Sequence, residues 1–598
     1  MIPHCGVGRN VNGQSNGRLK KRGNGHKNEK SPQMTAEEAR QRNFLAPVSR
    51  LPPELVLLVF THLRDICMIT RFIRRDWMNV TGVFHSWREI ALCAPNLWTN
   101  IRISKGTYRW ASEMLYRSQQ SPLSAHVDYK GLNRHPRELY ADTDAVLTTL
   151  EENVGRCSEL SLCNVQTESF GKFFPPNHDA SHLHSLKVTS NHFLVKIAKR
   201  RVILSDQTLR ASALRRLTLF MVEVDLNSSF LRGLRHLKFT FGLFRPSDSQ
   251  NFLKILPAMV ALESLDIDGT IPFMLVTCQS STTGSGKIHV PTLKKLRIDA
   301  PMENIASLLS MLELTSELNL CLITRLNDLD AHPLDSFDQC VEVLKLLSAI
   351  FAPKASPSLA WTPSTSNTTP PPPRSHIKSY RIMRDSMENF RIQAFRNVLT
   401  HEEMLTSAIP PSIDWTFGLE YPLEDEDEEN IARRLLDVLP LDHVVTLQVF
   451  GQLPYGEDLL VEKFGYIPTL KSILLGNDVA SLIFEALTFG VDNTSSGKPA
   501  KTEPEMPLLV FPILDTIYLQ GSAVRHAFEN RKVLKNFTKE LMRRRAIGSP
   551  IRRLVLIDCQ INLDSHGMLR LRDAVAHVEE LKIGPDFGDI LEIDSDSE

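Results

Sequence analysis

One phrase returns along this chain: leucine, two variable residues, leucine, one variable residue, leucine. It stands at Leu183/Leu186/Val188, Leu214/Leu217/Leu219, Leu234/Leu237/Phe239, Leu262/Leu265/Ile267 and Leu293/Leu296/Ile298. It returns at Leu470/Ile473/Leu475, Leu514/Ile517/Leu519, Ile551/Leu554/Leu556 and Val578/Leu581/Ile583. Apolar residues two apart share one side of a strand, and the earlier leucine fills the same interior. One such unit cannot bury its apolar side alone, so neighbours must stack and share a continuous row. Between the phrases the apolar spacing becomes helical, over 250–262, 303–314, 431–439, 479–487 and 526–545. The central leucines 186, 217, 237, 265 and 296 are separated by 31, 20, 28 and 31 residues, so the unit is irregular.

Two phrases extend further. Leu183 to Val188 continues to Asn191 and Phe193, and Ile551 to Leu556 continues to Cys559 and Ile561. Both match the leucine-rich-repeat pattern, with aliphatic and Phe substitutions. The expected fold is α+β overall: a small all-α segment followed by an irregular α/β solenoid, a horseshoe. The expected divisions are a basic tail at 1–45, a helical segment at 46–103, repeats at 104–352 and 379–585, and an acidic tail at 586–598. A Pro/Ser/Thr-rich loop at 353–378 contains Pro370 to Pro373. The ladder is least legible from 321 to 440, where a long insertion or a break between two arrays is expected. The acidic run Glu424 to Glu429 falls there, and residues 492–507 read as another polar loop.

At 598 residues the chain is too long for one core. Lys plus Arg and Asp plus Glu are both 69, so no global pull toward nucleic acid or anionic membrane is expected. The N-terminal 45 residues hold nine basic and three acidic side chains, including the patch Leu19-Lys-Lys-Arg22. That stretch reads as a disordered, solvated basic tail, and a nuclear-import patch is the alternative reading. Nine widely spaced cysteines without a C-x-x-C motif argue for a reducing compartment, cytoplasmic or nuclear. No apolar run is long enough for a spanning helix.

Organised chemistry is not found. Ser285-Gly-Lys287 lacks the glycine and the hydroxyl residue of a phosphate loop, having Ser281 and Ile288 instead. His182 and His184 would share one face of a strand, but no local Cys or carboxylate completes a metal site, so they read as surface residues. Cys559 reads as a buried turn residue rather than a nucleophile. The basic stretch Arg531 to Arg545 reads as a repeat helix with a solvated face; a nucleic-acid or acidic-partner patch is its functional alternative. The expectation is therefore no enzyme, no metal and no cofactor.

The segment 51–98 has its own pattern. Pro52 and Pro53 suit a helix start, and Leu55, Leu58, Val59 and Leu63 follow at helical spacing with Phe60 beside them. Asp65 to Arg75 reads as a spacer, and Trp77 to Ala91 as a second amphipathic helix ended by Pro95. Leu51, Pro52, Glu54, Leu55 and Phe60, then Trp77, Val80, Val83, Trp87, Arg88 and Ala91, then Pro95, Leu97 and Trp98, resemble an F-box. The version is the one common in mushroom-type (basidiomycete) fungal proteins. Phe84-His-Ser86 departs from it, since many relatives carry Cys-Arg there. The resemblance implies docking on a Skp-type adaptor and cullin complex through Leu51, Pro52, Glu54, Leu55, Leu58 and Phe60. Trp87 and Trp98 would join that surface or the core behind it. It also implies an adaptor subunit of an SCF-type ubiquitin ligase whose repeats bind a protein substrate. The alternative is a non-degradative interaction scaffold. No obligate homo-oligomer is expected.

Overall fold

The computed structural model describes residues 35–69, 76–104, 108–130, 137–175, 179–190, 202–240, 252–268, 287–315, 317–326, 343, 345–347, 376–384, 390–405, 409–419, 433–434, 436–451, 456–487, 509–561 and 566–582. The patch Leu19 to Arg22, the polyproline run, the acidic run at 424–429, the loop at 492–507 and the acidic tail lie outside these residues. The fold is mixed α/β, with a large, mostly parallel sheet that does not close into a barrel among the described residues. Contacts divide the chain into two compact units, Met1–Val202 with Asp206–Leu214, and Ile203–Ser205 with Arg215–Glu598.

The first unit opens with helices α1 (Ala36–Leu45), α2 (Pro53–Ile69) and α3 (His85–Leu92). A reciprocal cap starts α1: the Thr35 N–H donates to Glu38 Oε2 at 2.7 Å, and the Glu38 N–H to Thr35 Oγ1 at 3.3 Å. Two expectations are corrected here. Helix α2 runs through the supposed spacer to Ile69, and the stretch Trp77 to Ala91 is split. A 3₁₀ turn covers Asp76–Gly82, and Phe84 stands extended before α3. The run Val80-Thr-Gly-Val83 explains the split, because β-branched residues and glycine are poor helix formers.

Four parallel strands follow: β1 (Asn100–Ile103), β2 (Leu123–Asp128), β3 (Cys157–Val165) and β4 (Ser185–Ser190). Register sets Ile101, Ala125, Leu160 and Leu186 in one row and Ile103, Val127, Leu162 and Val188 in the next. The apolar ladder therefore starts directly after the helical segment, at Ile101 and Ile103. Ala125 in place of a leucine conceals that start. The helical segment and β1–β4 fall in one compact unit.

In the second unit the strands are β5 (Ile203–Leu204), β6 (Arg216–Phe220), β7 (Glu223–Val224), β8 (His236–Thr240), β9 (Ser264–Asp268), β10 (Ile288–His289), β11 (Lys295–Asp299), β12 (Leu312–Glu313), β13 (Asn319–Leu326), β14 (Ser379–Arg384), β15 (Phe390–Phe395), β16 (Ile413–Leu419), β17 (Thr446–Phe450), β18 (Ser472–Gly476), β19 (Thr516–Gln520), β20 (Arg553–Ile557) and β21 (His577–Leu581). Two ribbons, β5–β7 and β10–β12, stand apart from the main sheet. The sheet runs β6–β8–β9–β11–β13, then β16, β15 and β14 in reverse order, then β17–β18–β19–β20–β21. Among the described strands, only β15 is antiparallel to its neighbours.

That reversal replaces the expected break with a continuous sheet. One row runs Leu217, Leu237, Leu265, Leu296, Leu320, Ile413, Ala394, Tyr380, Leu447, Ile473, Ile517 and Leu554 without interruption. These side chains are all buried. Helices cover the second half. Phe484 meets Phe528 and Phe537 at ring distances of 5.4 and 4.7 Å, joining three helices. The single helix expected over 526–545 is two, Ser522–Glu529 and Arg531–Ala546, because the Asn530 side chain accepts from the N–H groups of Lys532 and Val533 and caps the second. Residues 479–487 likewise divide into a 3₁₀ turn, Asn477–Ser481, and a short helix, Leu482–Ala486.

Truncating one ladder residue should leave a cavity between fixed neighbours. Leu296→Ala is expected to cost about 2–5 kcal/mol in denaturant unfolding. Thr218→Ala, on the opposite side of the sheet, is expected to stay within about 0.5 kcal/mol.

Candidate functional site

Helix α2 is apolar on two sides. Val56, Phe60 and Cys67, with half-buried Leu63, face inward at helical spacing. Phe60 meets the Trp87 ring edge-on at 5.4 Å, and Trp87 meets Phe84 at 5.0 Å. Trp77 packs on Trp98 at 5.3 Å; Trp98 Nε1 donates to the Ala91 carbonyl at 2.7 Å, and the Arg117 guanidinium lies 4.4 Å above the Trp98 ring. Arg64 ties the middle of α2 to this frame by donating to the Asn96 carbonyl at 2.8 Å.

The other side of α2 carries Leu55 at 48%, Leu58 at 53%, Val59 at 54% and Ile66 at 58% exposure, with Leu51 just before it. A typical surface helix keeps only one apolar stripe, and a clustered exposed patch marks an interaction site more than scattered single residues do. The sequence-derived docking set therefore separates. Leu51, Pro52, Glu54, Leu55 and Leu58 lie together on the exposed side, whereas Phe60 and Trp98 are buried in the segment's own interior. Phe60 as a first contact is thus corrected: its ring is 1% exposed and holds α2 to Trp87. Trp87 is intermediate. Val59 and Ile66 are exposed as well, and their spacing with Leu55 places all three on one helix side.

A second surface lies in the other unit, on the sheet face opposite the apolar ladder. Its middle row, in register, reads Thr218, Lys238, Asp266, Arg297, Cys321, Asp414, Gln393, Arg381, Gln448, Leu474, Tyr518, Val555 and Glu579. The row changes character as it crosses the sheet. Lys238 and Arg297 flank Asp266 at 3.5 and 3.8 Å. Arg391 grips Asp414 with two bonds, at 2.7 and 2.5 Å. Buried Arg381 donates to Gln448 Oε1, lies 5.6 Å from the Phe395 ring, and is lowered to about 10 by burial and by Arg391. Cys321 is pushed up to about 11 by burial and then by the Asp414 carboxylate, so its thiol stays protonated.

Beyond Gln448 the row is apolar through Leu474, Tyr518 and Val555, before Glu579 at its end, and the chain covers that stretch with its own residues. Phe395, Leu399 and Met404 pack with Phe450, Leu474, Tyr518, Val555 and Ile557, and Leu405 and Ile409 flank them. The cover is fastened by polar bonds. Ser379 Oγ donates to the Asn397 carbonyl at 2.9 Å and accepts from the Leu399 N–H at 3.1 Å. Thr400 and Glu403 form a reciprocal cap on the short helix His401–Leu405. The His401 ring stacks on Tyr518 at 5.1 Å. Gly476 is required beneath this layer, since a Cβ there would lie 2.4 Å from the Phe450 ring.

The remaining candidates prove structural. His182 and His184 sit in the turn before β4 rather than on a strand, and His184 Nδ1 lies 3.2 Å from the Ala213 carbonyl. No group of three His, Cys, Asp or Glu that could hold a metal occurs among the described residues. Cys559 is buried, lies 3.3 Å from the Leu519 and Ile557 carbonyls, and is pushed up to about 12 by burial. The basic helix Arg531–Ala546 is not wholly solvated. Arg544 is fully buried and donates to the carbonyls of Val510 and Phe511, a role that its run of three arginines hides. No helix among the described residues is long and apolar enough to cross a membrane. No family model matches the chain, and no curated protein matches it.

Two outcomes follow from these contacts. Phe60→Ala is expected to cost about 3–5 kcal/mol, and Leu55→Ala less than about 0.5 kcal/mol, both by denaturant unfolding. Burial and the adjacent Arg553 lower the pKa of His401, partly opposed by Glu579. The unfolded chain then binds the extra proton first as pH falls. The stability contributed by the neutral ring should be complete above about 6.5 and decline below it. Amide exchange in 399–405 should accelerate over that window, and His401→Phe should flatten the change.

Proposed function

We propose that this protein is a substrate-recognition adaptor of an SCF-type ubiquitin ligase. In this reading residues 51–98 are an F-box that docks on a Skp-type adaptor, and the strand-and-helix array is a leucine-rich-repeat solenoid that holds the target. One observation carries the docking half: the apolar row Leu51, Leu55, Leu58, Val59 and Ile66 is exposed on a helix whose other side already fills its own core. The L-P-x-E-L start and the W-x-x-V…W-R…A and P-x-L-W phrases give that row its proposed occupant. The solenoid half is supported by the unbroken apolar rows and by parallel strands alternating with helices.

The mechanism is positional. The ligase's catalytic partner supplies the chemistry, and this chain raises the effective concentration of a target beside it. Burying one leucine contributes about 1.5–3 kcal/mol, so two exposed leucines can govern a docking affinity by several orders of magnitude. The test is a pull-down of the full chain with a purified Skp-type adaptor. Wild type should bind, and Leu55→Asp with Leu58→Asp should weaken binding by at least about a hundredfold while the thermal unfolding temperature is kept. Absence of binding by wild type, or equal binding by the double variant, would defeat the reading.

A further inference from the structure

The sheet face opposite the ladder is divided within the second unit. From β18 to β20 the middle of this face is apolar, and Phe395, Leu399 and Met404 cover it. From β16 to β14 its charges are turned on one another, through Arg391 to Asp414 and Arg381 to Gln448. Between β6 and β13 the described outward residues are exposed or half-buried, except Thr240, which is buried at the end of β8. A partner laid on this face therefore meets β6–β13.

The charges there are arranged by depth and by position along the strands. At the strand starts, Arg216 on β6, His236 on β8 and Lys295 on β11 are exposed. Strand spacing spreads them over about 14 Å. In the next row the Lys238 and Arg297 side chains are 40% and 36% exposed, while Asp266 between them is 20% exposed. Asp268 lies at the strand ends, with its pKa raised by burial. The outermost charges are thus cationic, and the carboxylates sit deeper or further along. At the rim Glu263 answers Lys294 at 3.1 Å and Arg235 at 3.9 Å, leaving Arg216 and Lys295 as the exposed cations nearest a ligand.

We propose that the β6–β13 face binds an acidic peptide segment, its carboxylates over Arg216, His236 and Lys295 and its chain crossing the strand starts. This rests on the reading of the sheet as the recognition surface and gives that surface a substrate class. A protein segment fits better than a nucleic acid. Phe220 is the one aromatic among the outward residues of β6, β8, β9 and β11, so no stacking platform exists there. The Asp266 and Asp268 carboxylates would also repel a phosphate chain pressed deeper, whereas they can accept bonds from peptide N–H groups.

The test is fluorescence anisotropy of the full chain with a labelled decaglutamate peptide, a decaglutamine peptide and a 12-nucleotide single strand. Wild type should bind decaglutamate, with affinity falling as salt rises, and prefer it to both other probes. Arg216→Glu with Lys295→Glu should weaken that binding by at least about tenfold. Lys532→Glu with Lys535→Glu, on the exposed side of the basic helix, should change it by less than about twofold. Failure of wild type to bind decaglutamate, equal losses in both variants, or tighter binding of the oligonucleotide would overturn the proposal. Skp-type adaptor binding measured on the same proteins separates the two readings: it should persist in both variants, and its loss in wild type would count against the ligase assignment instead.

Discussion

In-register contact between apolar side chains two residues apart holds this structure together. Leu296 is buried because Leu265 and Leu320 lie level with it on the adjacent strands, and each of those depends on the next strand in turn. No strand can bury its own row, so stability spreads along the sheet through nearest neighbours. The same register fixes what stands on the opposite face, because successive residues on a strand alternate sides. The pattern that builds the core therefore also dictates which side chains line the other surface.

That surface is where the chain becomes particular. One half buries its apolar residues under the chain's own Phe395, Leu399 and Met404, while the other keeps lysine, arginine and aspartate accessible. The transition falls at Arg381 and Gln448, a buried pair in which the amide oxygen accepts from the guanidinium, before Leu474 begins the apolar half. A buried guanidinium is costly to desolvate. Here Gln448, Gln393 and the face of Phe395 all meet it.

Much of this was legible in the sequence, and the failures have physical causes. The leucine phrases located β4, β6, β8, β9, β11 and β18–β21, because period-two apolar spacing between helical stretches has few other solutions. The alternation of Ile101 and Ile103 marks β1 as a strand, whereas β2 is hidden because Ala125 stands where the phrase expects a large residue. The span 321–440 was unreadable because β14–β16 return in reverse order, with β15 antiparallel, so the rhythm of strand, helix, strand is lost although the apolar rows continue. The cap at Thr400 and Glu403 was readable as a helix start. What it covers was not, since that depends on pairing residues up to 160 positions apart, such as Phe395 and Val555. In the docking set, helical spacing groups Leu55, Leu58, Val59 and Leu63 with Phe60 beside them but does not say which of them face inward; the Trp87 ring against Phe60 does.

Helix α2 packs the segment with one side and exposes Leu55 and Leu58 on the other, the side we propose a partner covers. Hydroxyl-radical footprinting of the full chain, alone and with a purified Skp-type adaptor, tests this most directly. Leu55, Leu58 and Ile66 should oxidise readily in the free protein and become protected in the complex, while Phe60 and Trp77 stay unreactive in both. Unreactive Leu55 and Leu58 in the free chain, or adaptor protection confined to the sheet, would contradict it.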